Sequence, residues 1–385
     1  MPLVQIDRDY LIQTLTNLVM INSINPSLVA DGAGEAHIAA YVADALRQIG
    51  CEVKLHDPQP GRVSVVGILK GTGGGRSLML NAHMDTVGVD NMPDPFSGAI
   101  RDGKLYGRGA YDMKGSLAAC IAAAKALSES DRLTGDVLIA AVADEEYASL
   151  GTEEIAKHYQ PDAAIVTEPT ELTLCIAHKG FVWIEVETIG RAAHGSRFAL
   201  GIDANMRMGR FLAELDRLEQ ALRNRIGHVL VGPPSLHAAK IEGGTEPSMY
   251  AARCALQIER RTIPGESTAQ VLQEIQTIID KLSKADPTFK ASIKSSLARD
   301  SFEVSREAPI VRSIDRAATH VLGHPPEYTG VSFWMDSALL AAAGIETAVF
   351  GPLGAGAHAS EEWVDLQSVE DTARILQQTA IDYCG

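Results

Sequence analysis

A histidine and an aspartate, His83-Met84-Asp85, follow an apolar run from Ser77 to Ala82 that reads as a buried strand. Side chains alternate along an extended chain, so this pair points the same way. Further on, the glycine-rich turn Gly107-Arg108-Gly109-Ala110-Tyr111-Asp112-Met113-Lys114-Gly115 delivers Asp112 at the mouth of an apolar helix, Ser116 to Leu127. Two more buried strands, Val137 to Val142 and Ala163 to Val166, run out into Asp144-Glu145-Glu146 and Glu168-Pro169. A glycine-rich loop, Gly351 to Ala357, brings His358 to the end of another, Ala348 to Phe350. Alone, an Asp-Glu-Glu is ordinarily solvated surface, and a single histidine is ordinarily neither ligand nor base. Here each stands at the carboxyl end of an apolar strand, where open α/β sheets put ligands. Carboxylates and imidazoles gathered there describe a metal site and metal-assisted hydrolysis.

The rest of the chain must hold those strand ends together. Asp7 to Leu18 reads as an amphipathic helix, ended by Asn25-Pro26-Ser27, and Glu35 to Ile49 as a second, closed by Gly50. Strands follow at Cys51 to Leu55 and Val63 to Leu69. The loop Lys70-Gly71-Thr72-Gly73-Gly74-Gly75 lacks the Gly-Lys-Ser/Thr ending of a phosphate loop and has no helix after it. It predicts a hairpin turn into the strand at Leu78. With a short helix from Thr152 to His158, the strand–helix–strand alternation gives an α/β domain with a mostly parallel central sheet.

Near Lys179-Gly180 the pattern changes. Phe181 to Glu187 alternates, with Phe181, Trp183, Glu185 and Glu187 on one side and Val182, Ile184 and Val186 on the other. Helices at Asp203 to Asn224 and Ser267 to Leu282, with alternating stretches at Ala251 to Arg260 and Phe289 to Leu297, make an α+β insert. Helical pattern returns from Glu307, and a helix from Asp365 to Asp382 closes the chain. The expected domains are 1–179 and 299–385, two segments of one catalytic domain, around an insert at 180–298.

At 385 residues the chain is beyond the size at which one core keeps growing. A formal charge of -15 with no basic patch excludes a nucleic-acid partner. No uncharged apolar stretch is long enough to span a membrane, and none is expected to bind one. Five scattered cysteines suit a reducing compartment, so the expected location is cytoplasmic.

The ordered motifs also resemble a known family. His83-x-Asp85, Gly107-Arg108-Gly109-x-x-Asp112-Met113-Lys114-Gly115, Asp144-Glu145-Glu146, Thr167-Glu168-Pro169, Arg261-x-x-Pro264-Gly265, and Gly351-Pro352-x-Gly354 leading to His358 and Glu362 are similar to those of the M20 metallopeptidases. This is the family of acetylornithine deacetylase, succinyl-diaminopimelate desuccinylase and glutamate carboxypeptidase. The resemblance implies a zinc-peptidase-like catalytic domain interrupted by a lid and dimerisation domain, and a homodimer formed through that lid. It implies two zinc ions, with cobalt or manganese as alternatives, bridged by Asp112. His83 and Glu168 would complete one metal's shell, Glu146 and His358 the other's. Asp85 would hydrogen-bond the far nitrogen of His83, and Glu145 would be the general base. In the insert, Ala193-His194-Gly195-Ser196 resembles the family's lid histidine, so His194 would help hold the oxyanion. Arg261 matches the arginine that clamps a substrate carboxylate, with Arg260 beside it as a rival. Asp336 and Glu362 would support the metal loops, and His178 is a further candidate near them.

Within the family, Glu168 and Arg261 favour hydrolysis of an N-acyl-L-amino acid, acetylornithine-like. The alternative is a carboxypeptidase or dipeptidase acting on a peptide-like amide. Tyr111 and Trp334 depart from the residues expected in acetylornithine enzymes. A non-catalytic metal-binding protein on the same fold would have no need of Glu145, whose presence speaks against it.

Overall fold

The structure, a computed structural model, describes residues 4–130 and 133–385. The chain divides into two compact units. One comprises the chain up to Ile176 with Val304–Thr329 and Met335–Gly385; the other comprises Ala177–Glu303 and Gly330–Trp334.

The first unit is built on a sheet whose strands lie in the order Glu52–His56, Ser64–Leu69, Val137–Val142, Leu78–His83, Ala163–Val166, Glu346–Val349, Leu174–His178. The four from Val137–Val142 to Glu346–Val349 pair in parallel. The flanking pairings are antiparallel. The parallel arrangement is thus confined to the centre of the sheet, and the sheet as a whole is mixed. Its reason is visible in the residues. Leu78–His83, Val137–Val142 and Ala163–Val166 are buried at every position, as parallel strands covered on both faces must be. Glu52–His56, on the edge, is largely exposed. The apolar helix Gly115–Ser128 packs against the closing helix Leu366–Cys384 and against Leu78–His83.

Register decides what this sheet can do. His83 lies opposite Val142, while Val166 pairs with Asn81 on one side and Val349 on the other. The loops after these four strands therefore leave from one edge of the sheet, the edge at which parallel α/β sheets bind ligands. The loop at Lys70–Gly75 is not a hairpin turn. Val137–Val142 lies between the two strands it connects, so the chain has to pass that strand's end. The amides of Thr72 and Gly73 donate to the carbonyls of Leu133 and Thr134 on the way. A second, small sheet orders Gly354–Ala355, Trp363–Asp365, Lys104–Tyr106 and Ala99–Arg101, and so ties the segment before Asp112 to the segment around His358.

The second unit has an antiparallel sheet ordered Ser235–Gly243, Arg253–Thr262, Gly180–Ile189, Lys290–Arg299. The helices Ala204–Arg223 and Thr268–Ala285 cover one face. Val182, Ile184 and Val186 enter a core with Met208, Phe211, Val271 and Ile275, as the alternation predicts. Phe181 departs from it and is buried. Among the described residues, no helix is long and apolar enough to cross a membrane.

Candidate metal centre

Asp112 sits in an irregular turn, Ala110–Lys114, ahead of the apolar helix; the backbone is non-helical at Asp112 and Met113, and the peptide bond between them is cis. Gly109 just before it has φ of +80°, and a Cβ there would lie 2.7 Å from the Thr86 side chain. Glycine is therefore required on two counts. The turn is held from outside by Glu362, whose carboxylate accepts from the amides of Gly109, Tyr111 and Asp112 at 2.9–3.0 Å. Arg108 donates to Glu362 at 2.6 Å and to the carbonyl of Ala359 at 2.8 Å, binding the Asp112 turn to the His358 loop.

Asp112 divides its two carboxylate oxygens between two imidazoles. Oδ1 is 3.1 Å from His83 Nε2, and Oδ2 is 3.5 Å from His358 Nε2. Glu168 Oε1 lies 3.7 Å from His83 Nε2, and Glu146 Oε2 lies 3.0 Å from His358 Nε2. The result is two groups that share one residue: His83, Asp112 and Glu168, and Asp112, Glu146 and His358, with ligand atoms in each within 4.8 Å of one another. The Glu145 carboxylate belongs to neither.

The far nitrogen of His83, Nδ1, is 3.0 Å from the backbone carbonyl of Asp85 and 3.7 Å from its carboxylate. The carboxylate instead accepts from the amides of Glu145 and Glu146 at 3.1 and 3.2 Å, and from Asn25 Nδ2 at 2.8 Å. Asp85 thus positions both His83 and the acidic loop. Asp144 opens that loop with φ of +69°, a conformation an aspartate tolerates better than most residues. Its carboxylate receives Arg62 Nη2 at 2.6 Å and Asn25 Nδ2 at 3.0 Å, and Arg62 also grips Glu35 at 2.8 Å through two nitrogens. Asn25, Glu35 and Arg62 are the working residues that sequence reasoning missed. Their types are ordinary and they lie far from the motifs, although Asn25 precedes a proline and was legible as a turn.

Charge is poorly balanced inside the cluster. Burial, reinforced by Glu168, raises the Glu145 carboxyl well above its ordinary value, and burial does the same for Glu168. Burial would lower the His83 imidazole, but its hydrogen bond to Asp112 and the neighbouring carboxylates outweigh that and raise it strongly. Hydrogen bonds to Asp112 and Glu146 push His358 up to about 10. Glu168 Oε1 is buried with no hydrogen-bond partner. Carboxylates crowded beyond what their own partners neutralise, an orphaned buried oxygen and a mixed nitrogen and oxygen donor set all fit a pair of divalent cations. Cation binding would displace the protons these groups otherwise hold.

The remaining candidates belong to neither ligand group. Asp336 belongs to the first unit and accepts from the Thr152 hydroxyl; burial raises its carboxyl to about 6. His178 belongs to the second unit, is stacked 5.2 Å from Phe302, and is lowered to about 4 by burial, which makes it a neutral packing residue. His194 is exposed in the second unit, and its Nδ1 accepts from the amide of Ser196 at 3.2 Å. Arg260 is buried and its guanidinium is taken up by Glu266 at 2.7 Å and Glu274 at 3.3 Å. Arg261 is the freer of the two. Its side chain is partly exposed, pairs with Glu259 at 2.7 Å, and lies 5.4 Å from the Phe181 ring centroid.

The family model described as peptidase family M20/M25/M40 matches residues 79–382. An acetylornithine deacetylase of Myxococcus xanthus is 30% identical, with 97% of this chain and 97% of that protein covered. An N-formyl-4-amino-5-aminomethyl-2-methylpyrimidine deformylase of Halalkalibacterium halodurans is 28% identical, covering 89% of this chain and 88% of that one. Among solved structures, a tripeptidase of Staphylococcus aureus superposes with a TM-score of 0.80 at 18% identity, covering 99% of each chain.

Replacing Arg62 would strand Glu35 and Asp144 as buried, uncompensated carboxylates. Arg62→Ala is expected to lower the unfolding free energy by about 3–5 kcal/mol, measured as a fall in the urea midpoint. A loss below about 1 kcal/mol would mean that the network does not carry the acidic loop.

Proposed function

The chain belongs to peptidase family M20/M25/M40 and is a metal-dependent hydrolase of that family, and from that premise we propose that it removes the acyl group from an N-acyl-L-amino acid. The observation that carries the reading is the carboxylate of Asp112, with one oxygen toward His83 and the other toward His358. A carboxylate so divided suits a bridge between two ions, one held also by His83 and Glu168 and the other by Glu146 and His358. Zinc suits these donors best, and cobalt or manganese would fit the same set.

When bound, such ions polarise an amide carbonyl and acidify a water. The chain's own residues would do the rest. Glu145 lies outside both ligand groups while its neighbour Glu146 lies within one, which supports Glu145 as the base. Its carboxylate would take a proton from the attacking water and pass it to the departing amine nitrogen. Asp85 would keep both steps in register by holding His83 and the amides of Glu145 and Glu146. His194 would help hold the developing oxyanion. We assign the substrate's carboxylate to Arg261, since Arg260 is committed to Glu266 and Glu274.

The substrate class rests on the relatives. The acetylornithine deacetylase aligns over nearly the whole chain, and the deformylase keeps the formyl group among the acyl groups to be tried.

Glu145→Gln is expected to retain the metal content of the wild type while kcat falls about 10²–10⁴-fold on N-acyl amino acids. Loss of metal instead would exchange the roles given to Glu145 and Glu146. On a panel of N-acetyl, N-formyl and N-succinyl amino acids and dipeptides, the small acyl groups should show the highest kcat/KM. Preference for dipeptides would move the protein to the peptidase alternative. Arg261→Ala should raise KM for carboxylate-bearing substrates by about 10–100-fold, the worth of a charge-assisted pair. An unchanged KM would remove Arg261 from the site.

A further inference from the structure

A third group of metal-ligating side chains lies in the first unit and shares no residue with the Asp112 cluster. His56 ends the strand Glu52–His56, and Glu154 and His158 stand four apart on the helix Leu150–His158, hence on one face of it. One ligand atom from each lies within 4.8 Å of the others. The two imidazole rings are 5.1 Å apart between centroids and tilted by 34°. Glu154 Oε1 is 2.8 Å from His158 Nε2, and the phenol of Tyr159 is 2.9 Å from His56 Nε2.

We propose that His56, Glu154 and His158 form a separate, mononuclear site for a divalent transition-metal ion, zinc foremost. Two imidazoles and a carboxylate are the donor set of open tetrahedral zinc sites, with water as the fourth ligand. Bonds of about 2.0–2.2 Å would draw the three ligand atoms to roughly 3.4 Å apart, a change within reach of side-chain torsions. Coordination would replace the contact of His158 Nε2 with Glu154 Oε1, and that of Tyr159 with His56 Nε2, by bonds to the ion, and would release the His158 proton. Lys157 approaches Glu154 through the other oxygen, Oε2, at 3.2 Å, which leaves Oε1 toward the histidines. His158 is the last residue of its helix, where the backbone dipole favours a cation.

Such an ion would act as a clasp. It would join the end of an edge strand to the end of the helix that begins directly after the acidic loop at Asp144–Ser149. The site shares no residue with the Asp112 cluster, so its effect would be on stability rather than on turnover.

The test is zinc titration of the metal-free full-length chain against a competing chelator, comparing the wild type with His56→Ala/His158→Ala and with Glu154→Gln. The wild type should hold one zinc equivalent more than either variant, whatever number the Asp112 cluster binds. That extra equivalent should raise Tm in the wild type and not in the variants, with hydrolytic turnover unchanged. Because His56 is half-buried, His158→Ala alone, at an exposed position, repeats the comparison if the double variant fails to fold. Equal zinc content in wild type and variants overturns the proposal, as does an extra equivalent that survives both His158→Ala and Glu154→Gln.

Discussion

Acidic side chains crowd one edge of the central sheet, and their mutual repulsion is the constraint that the first unit is arranged to bear. Parallel strands set Asp85, Asp144, Glu145, Glu146 and Glu168 at neighbouring ends, and the Asp112 turn adds another carboxylate. Two kinds of support offset the repulsion. Arg62 and Arg108 are buried cations, each engaging carboxylates at the margin of the cluster, Glu35 and Asp144 for one and Glu362 for the other. Amides do much of the remainder: Glu362 gathers three backbone amides from the Asp112 turn, Asp85 gathers two from the acidic loop, and the Asn25 side chain donates to Asp85 and Asp144. What stays unbalanced is at the centre, where Glu168 has an oxygen with no partner. That residual demand for positive charge fits a pair of divalent ions.

Much of this was legible in the sequence, for a physical reason. Metal ligands must be His, Asp or Glu, and parallel strands must be apolar on both faces, so a ligand directly after an apolar run carries two signals at once. His83, Glu146 and Glu168 have that form, glycine-rich segments deliver Asp112 and His358, and the structure brings all five into two groups sharing Asp112. The support was less legible. Asn25 and Arg62 contact Asp144 across 119 and 82 residues of chain, and no local pattern marks either. The role of Asp85 was half visible: its spacing from His83 showed that the two belong together, but not that its carboxylate would hold the acidic loop. The loop at Lys70–Gly75 misled because turn composition says where a chain reverses, not which strand comes between. Ser235–Gly243 has seven consecutive exposed positions and offered no alternation to read.

The second unit shows how neighbouring residues of one type are separated by a strand. Arg260 and Arg261 face opposite sides of Arg253–Thr262, so one is buried among glutamates and the other remains partly exposed beside Phe181. In the sequence only the spacing to Pro264 favours Arg261 over Arg260. The alternation that buries Val182, Ile184 and Val186 under two helices decides which arginine is structural, since Arg260 is paired in register with Val182.

The central claim is that Asp112 is shared by two ions, and anomalous scattering from crystals of the zinc-loaded protein tests it most directly. The account predicts two peaks in the cluster about 3.5–4 Å apart. Each should lie about 2.0–2.2 Å from a different Asp112 oxygen, one also on His83 and Glu168, the other on Glu146 and His358, and neither on Glu145. A single peak, or a Glu145 oxygen within bonding distance of either, would contradict it.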